Sequence, residues 1–293
     1  MLDSFTNYLR WERRRSEATV TAYASDVAQW LLFAEHALGM PDAEGATRSH
    51  VRSWVSELVQ TGSNARSVNR KLSALRTFYH WRTASDPSIS NPAQGVPLLR
   101  TPSRIVRSLS APEIEALLDP SSFDDDALGR RDQFLLLTLY ATGLRRSELL
   151  HLTYNQVNGT TLRVVGKGNK ERELPLIPEW TEALIRHRAE WGQVSDRIFC
   201  TPKGKKLDPR SVYSVVKSYL QKASTADSLG PHALRHTFAT HLLEGGTDIR
   251  VIQVLLGHAK LETTTIYTKV ATKTIQNVTS PLDLLVRREA GPG

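Results

Sequence analysis

Apolar positions recur at helical spacing through most of the first hundred residues, broken by turn and capping residues. Leu2–Arg14 is a short amphipathic segment. Ser16 is placed to cap a long helix running to about Leu38, with Val20, Tyr23, Val27, Trp30, Leu31 and Ala34 on one face. Gly39-Met40-Pro41 ends it. Thr47 or Ser49 opens a third helix, with Val51, Trp54, Val55, Leu58 and Val59 inward, and Gly62 closes it. Asn64 then caps ARSVNRKLSALRTFYHWRTA, whose apolar stripe is Val68, Leu72, Leu75, Phe78 and Tyr79. This pattern predicts an all-α N-terminal domain.

Residues 86–104 contain four prolines and a glycine and read as a linker. The division expected is a domain over 1–90, a linker over 91–107, a second domain over 108–270 and a tail over 271–293. In the second domain Ser110-Ala111-Pro112-Glu113 is a helix start. Arg131–Ala141 is a strongly apolar helix stopped by Gly143. TTLRVVGKGNKERELPLI reads as two short strands around a Gly-Asn turn. Further helices are expected over Pro178–Glu190, Pro209–Ala223, Pro231–Glu244 and Ile249–Leu256, with a strand at Arg197–Cys200 and a last helix at Glu262–Val270. The second domain is therefore mainly α with a small hairpin.

Composition narrows the class. Of the 293 residues, 40% are apolar and 23% charged, a globular balance. No apolar run approaches the roughly 18 residues of a membrane span, and the N-terminus does not resemble a signal peptide. Cys200 is the only cysteine, so no internal disulfide forms, which fits a cytoplasmic protein. Net charge is +8. Arg66, Arg70, Lys71, Arg76 and Arg82 lie opposite the apolar stripe of the fourth helix, with no acidic residue between Arg66 and Arg82. A solvated basic face and a helix laid along DNA both produce that pattern.

GPHALRHTFATHLLEGG places His232, Arg235, His236 and His241 on one helix. At about 100° per residue, His232, Arg235 and His236 share a face and His241 points away. Two histidines four apart suit a metal, but no HExxH glutamate follows the first and a permanent cation sits between them. Arginine beside histidine suits a phosphate or phosphorane instead.

Further groups of this kind occur along the chain. ATGLRRSELLHL (141–152), VVGKGNKERELPL (164–176), PHALRHTFATHLLEGG (231–246) and LLGHAKLETTTIYTKV (255–270), in that order, resemble the catalytic motifs of the tyrosine recombinases, most nearly their Xer branch. SVNRKLSALRTFYHW ahead of NPAQGV is similar to the family's core-binding domain. The resemblance implies a four-helix SAM-like core-binding domain and a catalytic domain of the DNA breaking-rejoining fold, together forming a clamp on duplex DNA. Carried over by motif, the catalytic set is Arg145, Lys167, His232, Arg235, His258 and Tyr267.

In this scheme Tyr267 attacks a phosphodiester to form a 3′-phosphotyrosine, and a 5′-hydroxyl leaves. A partner strand's 5′-hydroxyl reverses the step by way of a Holliday junction, without ATP. Arg145, Arg235 and His258 would stabilise the phosphorane, Lys167 would protonate the leaving oxygen and His232 would accept the tyrosine proton. Glu148 reads as structural, orienting an arginine. Arg66, Arg70, Lys71, Arg76, Lys170 and Arg172 are candidate DNA contacts. No metal and no cofactor are expected.

The partners implied are double-stranded DNA with a specific recombination site and three further protomers, identical or paralogous, with no membrane. An Xer-like role in dimer resolution and chromosome segregation, an integrase or resolvase of a mobile element, and an inactive DNA-binding relative are the readings in play. A type IB topoisomerase fits the two-domain layout less well. With the first helix starting at Leu2, no arm-binding domain is expected ahead of the core-binding domain. Leu282, Leu284, Leu285 and Val286 form an apolar cluster in the tail, suited to packing on its own domain or docking into a neighbouring protomer. The tail lacks the His-Pro-Arg ending common among Xer proteins, which leaves regulation by a DNA translocase open.

Overall fold

The computed structural model describes residues 1–101, 107–166, 170–224 and 229–257. Lys167, His258, Tyr267, the helix expected at Glu262–Val270 and the tail lie outside the described residues. The chain divides into two compact units, Met1–Arg104 and Ile105–Gly293.

The first unit is helical. Helix α1 (Leu2–Asn7) runs into a wide π-type turn at Tyr8–Glu12, and α2 (Glu17–Leu38), α3 (Arg48–Gln60) and α4 (Ala65–Ser85) follow. The expected caps form. Ser16 accepts from the Thr19 amide at 3.4 Å, and Asn64 from the Ser67 amide at 2.9 Å. Gly39 ends α2 in the left-handed region at φ 65°. The inward stripes meet in a core built on Phe5, Leu9, Trp30, Trp54, Leu72, Leu75, Phe78 and Tyr79. The Trp30 indole donates to the Tyr79 hydroxyl at 3.1 Å, which donates in turn to the Ala43 carbonyl at 3.2 Å.

The proline-rich segment is strapped onto this unit through most of its length. Ala93 and Val96 are buried in the core, and the Asn69 amide holds the Leu99 backbone by two hydrogen bonds of 2.8 Å. Proline removes donors, so side chains of α4 meet the strap's backbone groups in place of a ladder.

In the second unit, α5 (Ala111–Leu118), α6 (Ala127–Thr142) and the one-turn α7 (Arg146–Leu149) precede a three-stranded antiparallel sheet. Its strands are β1 (Val157–Asn158), β2 (Thr161–Val165) and β3 (Glu171–Pro175). Helices α8 (Pro178–Trp191), α9 (Pro209–Ala223), α10 (Pro231–Glu244) and α11 (Ile249–Leu256) complete it. Helix α6 packs against α8 and α10. Trp180, Phe199, Tyr140 and Leu234 are among the fully enclosed side chains of the core.

The expected strand at Arg197–Cys200 is reduced to isolated bridges, Thr153 with Arg197 and Cys200 with Lys206. Two different segments meet it at its two ends, so no continuous ladder builds. Among the described residues no helix is long and apolar enough to cross a membrane.

Candidate active site

Helix α6 ends at Gly143, which adopts φ 59°. A Cβ there would lie 2.4 Å from the Phe238 ring of α10, so this position needs glycine for both backbone and clearance. The chain then turns through Leu144 to Arg145, the N-cap residue of α7. Glu148, one turn on, accepts from the Arg145 amide at 2.8 Å and from its Nη1 at 2.9 Å. That helix is too short to stand by propensity; the Glu148 carboxylate, bonded back to the Arg145 amide and side chain, holds it.

Arg172 of β3 approaches the same carboxylate. Its Nη1 and Nη2 donate to the two oxygens of Glu148 at 3.0 and 2.8 Å, a bidentate fork. The Arg172 and Glu148 side chains are 8% and 4% exposed, whereas Arg145 keeps 33% of its surface. Burial pushes the Glu148 carboxyl up, but hydrogen bonds from Arg172 and Arg145 outweigh it and hold the group below its ordinary 4.5.

Arg235 projects from α10. Its Nη1 donates to the Gly143 carbonyl at 2.7 Å and its Nη2 to the Leu256 carbonyl at 2.5 Å. Burial, and then the charge of Arg145, pulls its pKa down to about 10. The guanidinium still carries its charge at neutral pH.

The end of α11 gathers the three arginines. Arg172 Nε donates to the Leu255 carbonyl at 2.7 Å, Arg235 to that of Leu256, and Arg145 Nη2 to that of Gly257 at 3.3 Å. The last carbonyls of a helix lack intrahelical partners and carry its negative pole, so they suit cations. Gly257 caps this helix at φ 64°. His258 is the next residue in the chain.

Arg145 and Arg235 thus converge with a single carboxylate, Glu148, which Arg172 already matches in charge. His232 is exposed one turn before Arg235 on α10. His236 is exposed as well. His241 is a packed residue: its Nε2 donates to the Leu109 carbonyl at 2.9 Å and its Nδ1 lies 2.9 Å from the Tyr140 hydroxyl. Hairpin strands β2 and β3 close at Gly166 and Lys170, whose amide and carbonyl bond at 2.8 Å. The tip between them, with Lys167, lies outside the described residues. Lys170 is exposed beside that tip.

The expected DNA contacts of the first unit separate into two kinds. Arg66 is exposed. Lys71 is not on an open face: it is buried and donates to Asp26 of α2 at 3.2 Å. Arg70 pairs with the same carboxylate, itself 1% exposed, while keeping 44% of its own surface. Arg76 is turned onto the strap, donating to the carbonyls of Ala93 and Val96. Arg82 donates to the Asp42 carbonyl at 3.0 Å and to Glu44 at 3.2 Å. Buried Asp26 holds Lys71 and the carbonyls of the strap hold Arg76, while Arg70 pairs with Asp26 and stays exposed. Arg172 is 8% exposed and bonds to Glu148 and the Leu255 carbonyl. Alternation along β3 carries that signal, because Arg172 shares the inward side with buried Leu174 while Glu171 and Glu173 are exposed.

A helical domain precedes a mainly α domain with a small antiparallel sheet, in which three arginines gather at one helix end. Residues 107–274, which include Tyr267, match the phage integrase family, and residues 2–85 match the phage integrase N-terminal SAM-like domain. The chain belongs to the phage integrase family. It is 37% identical over 289 residues to tyrosine recombinase XerD of Pseudomonas putida, covering 95% of each chain. It is 35% identical over 283 residues to tyrosine recombinase XerC of Bacillus subtilis, covering 93% of this chain and 92% of the relative.

Solved structures share the fold at lower identity. The XerH site-specific recombinase bound to difH substrate in a pre-cleavage complex superposes with a TM-score of 0.67 at 22% identity, covering 92% of this chain and 81% of that one. The Tn1549 transposon integrase in complex with transposon right end DNA gives a TM-score of 0.69 at 17% identity, covering 99% and 98%.

Proposed function

We infer that this protein is a site-specific DNA recombinase that cuts and rejoins strands through a covalent tyrosine intermediate. The observation that carries the chemistry is the convergence of Arg145 and Arg235 beside a carboxylate whose charge Arg172 already balances. Two guanidinium groups are held together against mutual repulsion, as an anion site requires.

In the reaction, the Tyr267 oxygen attacks the phosphorus of a DNA phosphodiester. The P–O bond to the 5′-oxygen breaks, leaving a 3′-phosphotyrosine. His232 takes the phenolic proton and Lys167 gives a proton to the departing 5′-oxygen. Arg145, Arg235 and His258 stabilise the non-bridging oxygens of the phosphorane. Attack by a partner strand's 5′-hydroxyl reverses each step, passing through a Holliday junction, so the number of phosphodiester bonds is conserved. No cofactor enters.

The relatives support an Xer-like role in the cytoplasm, resolving chromosome or plasmid dimers with four protomers on two synapsed copies of a specific DNA site. An integrase or resolvase of a mobile element uses the same chemistry and is the second reading. Arg66, Arg70 and Lys170, exposed and basic, are the first candidates for DNA contact. Strand exchange between two copies of the site that the protein selects from a randomised pool tests the function. The expected result is exchange that persists in excess EDTA. Loss of activity in EDTA with recovery on adding Mg²⁺ or Zn²⁺ points to a metallonuclease.

A further inference from the structure

We propose that Arg172 is a positioning residue for this reaction, acting through Glu148, and that its buried charge is what leaves Arg145 available to the phosphate. The proposal rests on the recombinase reading above. Every nitrogen of the Arg172 guanidinium is spent on the protein: two on Glu148 and one on the Leu255 carbonyl. The side chain is only 8% exposed, so it offers little to a DNA backbone. Glu148 in turn accepts four hydrogen bonds, two from Arg145 and two from Arg172.

The charge balance gives these contacts a function. A buried carboxylate must be matched by a cation. With Arg172 present, Glu148 orients Arg145 while another residue neutralises it. Without Arg172, Glu148 has Arg145 as its remaining cationic partner, and the charge meant for the phosphorane is drawn onto the carboxylate.

Gly257 clears the space for this side chain: a Cβ there would lie 3.1 Å from Arg172 Nη1. Gly257 immediately precedes His258, and Gly166 immediately precedes Lys167 at the hairpin tip. Arg172 therefore fastens three segments at one point: the hairpin, α7 with Arg145, and the end of α11. Lysine cannot replace it, because a single ammonium has no fork for the carboxylate together with a third donor for Leu255.

The test is single-turnover cleavage, at saturating protein, of a nicked duplex carrying the sequence that the wild-type chain selects from a randomised pool. Arg172→Met is expected to bind this duplex within about threefold of wild type and to cleave about a hundredfold more slowly, the loss typical of one preorganised donor. Adding Glu148→Gln to it removes the unmatched charge and is expected to recover cleavage about tenfold. Arg172→Lys, which keeps the charge and hence the fold, is expected to lose about tenfold with a melting temperature close to wild type.

A double variant no faster than Arg172→Met would reduce Arg172 to a structural residue and overturn the proposal. So would Arg172→Lys cleaving at the wild-type rate, or Arg172→Met losing binding while its bound fraction cleaves normally. If the wild-type chain itself forms no covalent complex, the recombinase reading falls and the proposal falls with it. If wild type forms one and the variants behave as in the overturning cases, the proposal alone falls.

Discussion

Arg145, Arg235 and Glu148 together decide what this site can hold. Two backbone carbonyls, at Gly143 and Leu256, fix the fork of Arg235 in a half-buried position beside a second guanidinium, where burial and the charge of Arg145 pull its pKa down to about 10. Substituting it with alanine is expected to slow single-turnover cleavage by about a hundredfold to a thousandfold while leaving duplex binding within a few-fold. A quench-flow comparison of bound complexes checks this.

Glu148 predicts a pH effect of definite sign. Its folded pKa lies below 4.5, so its contribution to stability is fully present above 4.5 and is lost as pH falls through the lower folded value. Thermal melts below about pH 4.5 are therefore expected to drop more steeply for wild type than for Glu148→Gln. Parallel curves would contradict the pairing.

At the scale of elements, the end of α11 is the keystone. Three successive carbonyls each take one arginine, and Gly257 supplies the left-handed cap that ends the helix there. Gly257→Ala forces a side chain into φ 64° and against Arg172, and is expected to destabilise the protein by about 1–2 kcal/mol. Its cleavage rate should fall further than that stability loss explains. In the first unit, Asp26 ties α2 to α4 through Lys71 and Arg70. Asp26→Ala leaves a buried ammonium unmatched and is expected to cost about 3 kcal/mol in a denaturant titration, whereas Arg66→Ala is expected to leave stability unchanged.

The helices were legible because apolar period and caps agree: Ser16, Asn64, Asp248 and Gly257 all mark the boundaries that their residue types suggest. The one-turn α7 and the two-residue β1 have no period to read. The inward fate of Lys71 was not legible either, because its carboxylate partner lies 45 positions away. From the helix alone, a lysine opposite the apolar stripe looks solvated. The motif arginines were legible from their spacing, but the carbonyls that aim them come from a different helix and are backbone atoms common to every residue.

Over the whole chain, two separate hydrophobic cores correspond to the two compact units. Each carries its own aromatic centre, Trp30 with Trp54 in one and Trp180 with Phe199 in the other. Residues 1–101 expressed alone are accordingly expected to melt cooperatively, with a folded far-ultraviolet spectrum. The tail beyond Val270 is proposed to link protomers. Removing it should weaken cooperative assembly on paired sites more than binding to a single site, and unchanged cooperativity in a gel-shift titration would count against that role.

We propose that Tyr267 bonds covalently to DNA at a phosphate held by Arg145 and Arg235. Incubating wild type and Tyr267→Phe with the nicked duplex and resolving denatured products tests it most directly. Wild type should yield a protein–DNA adduct whose DNA-linked peptide contains Tyr267, and Tyr267→Phe should bind the duplex equally well and yield none. An adduct that persists in Tyr267→Phe would contradict the account.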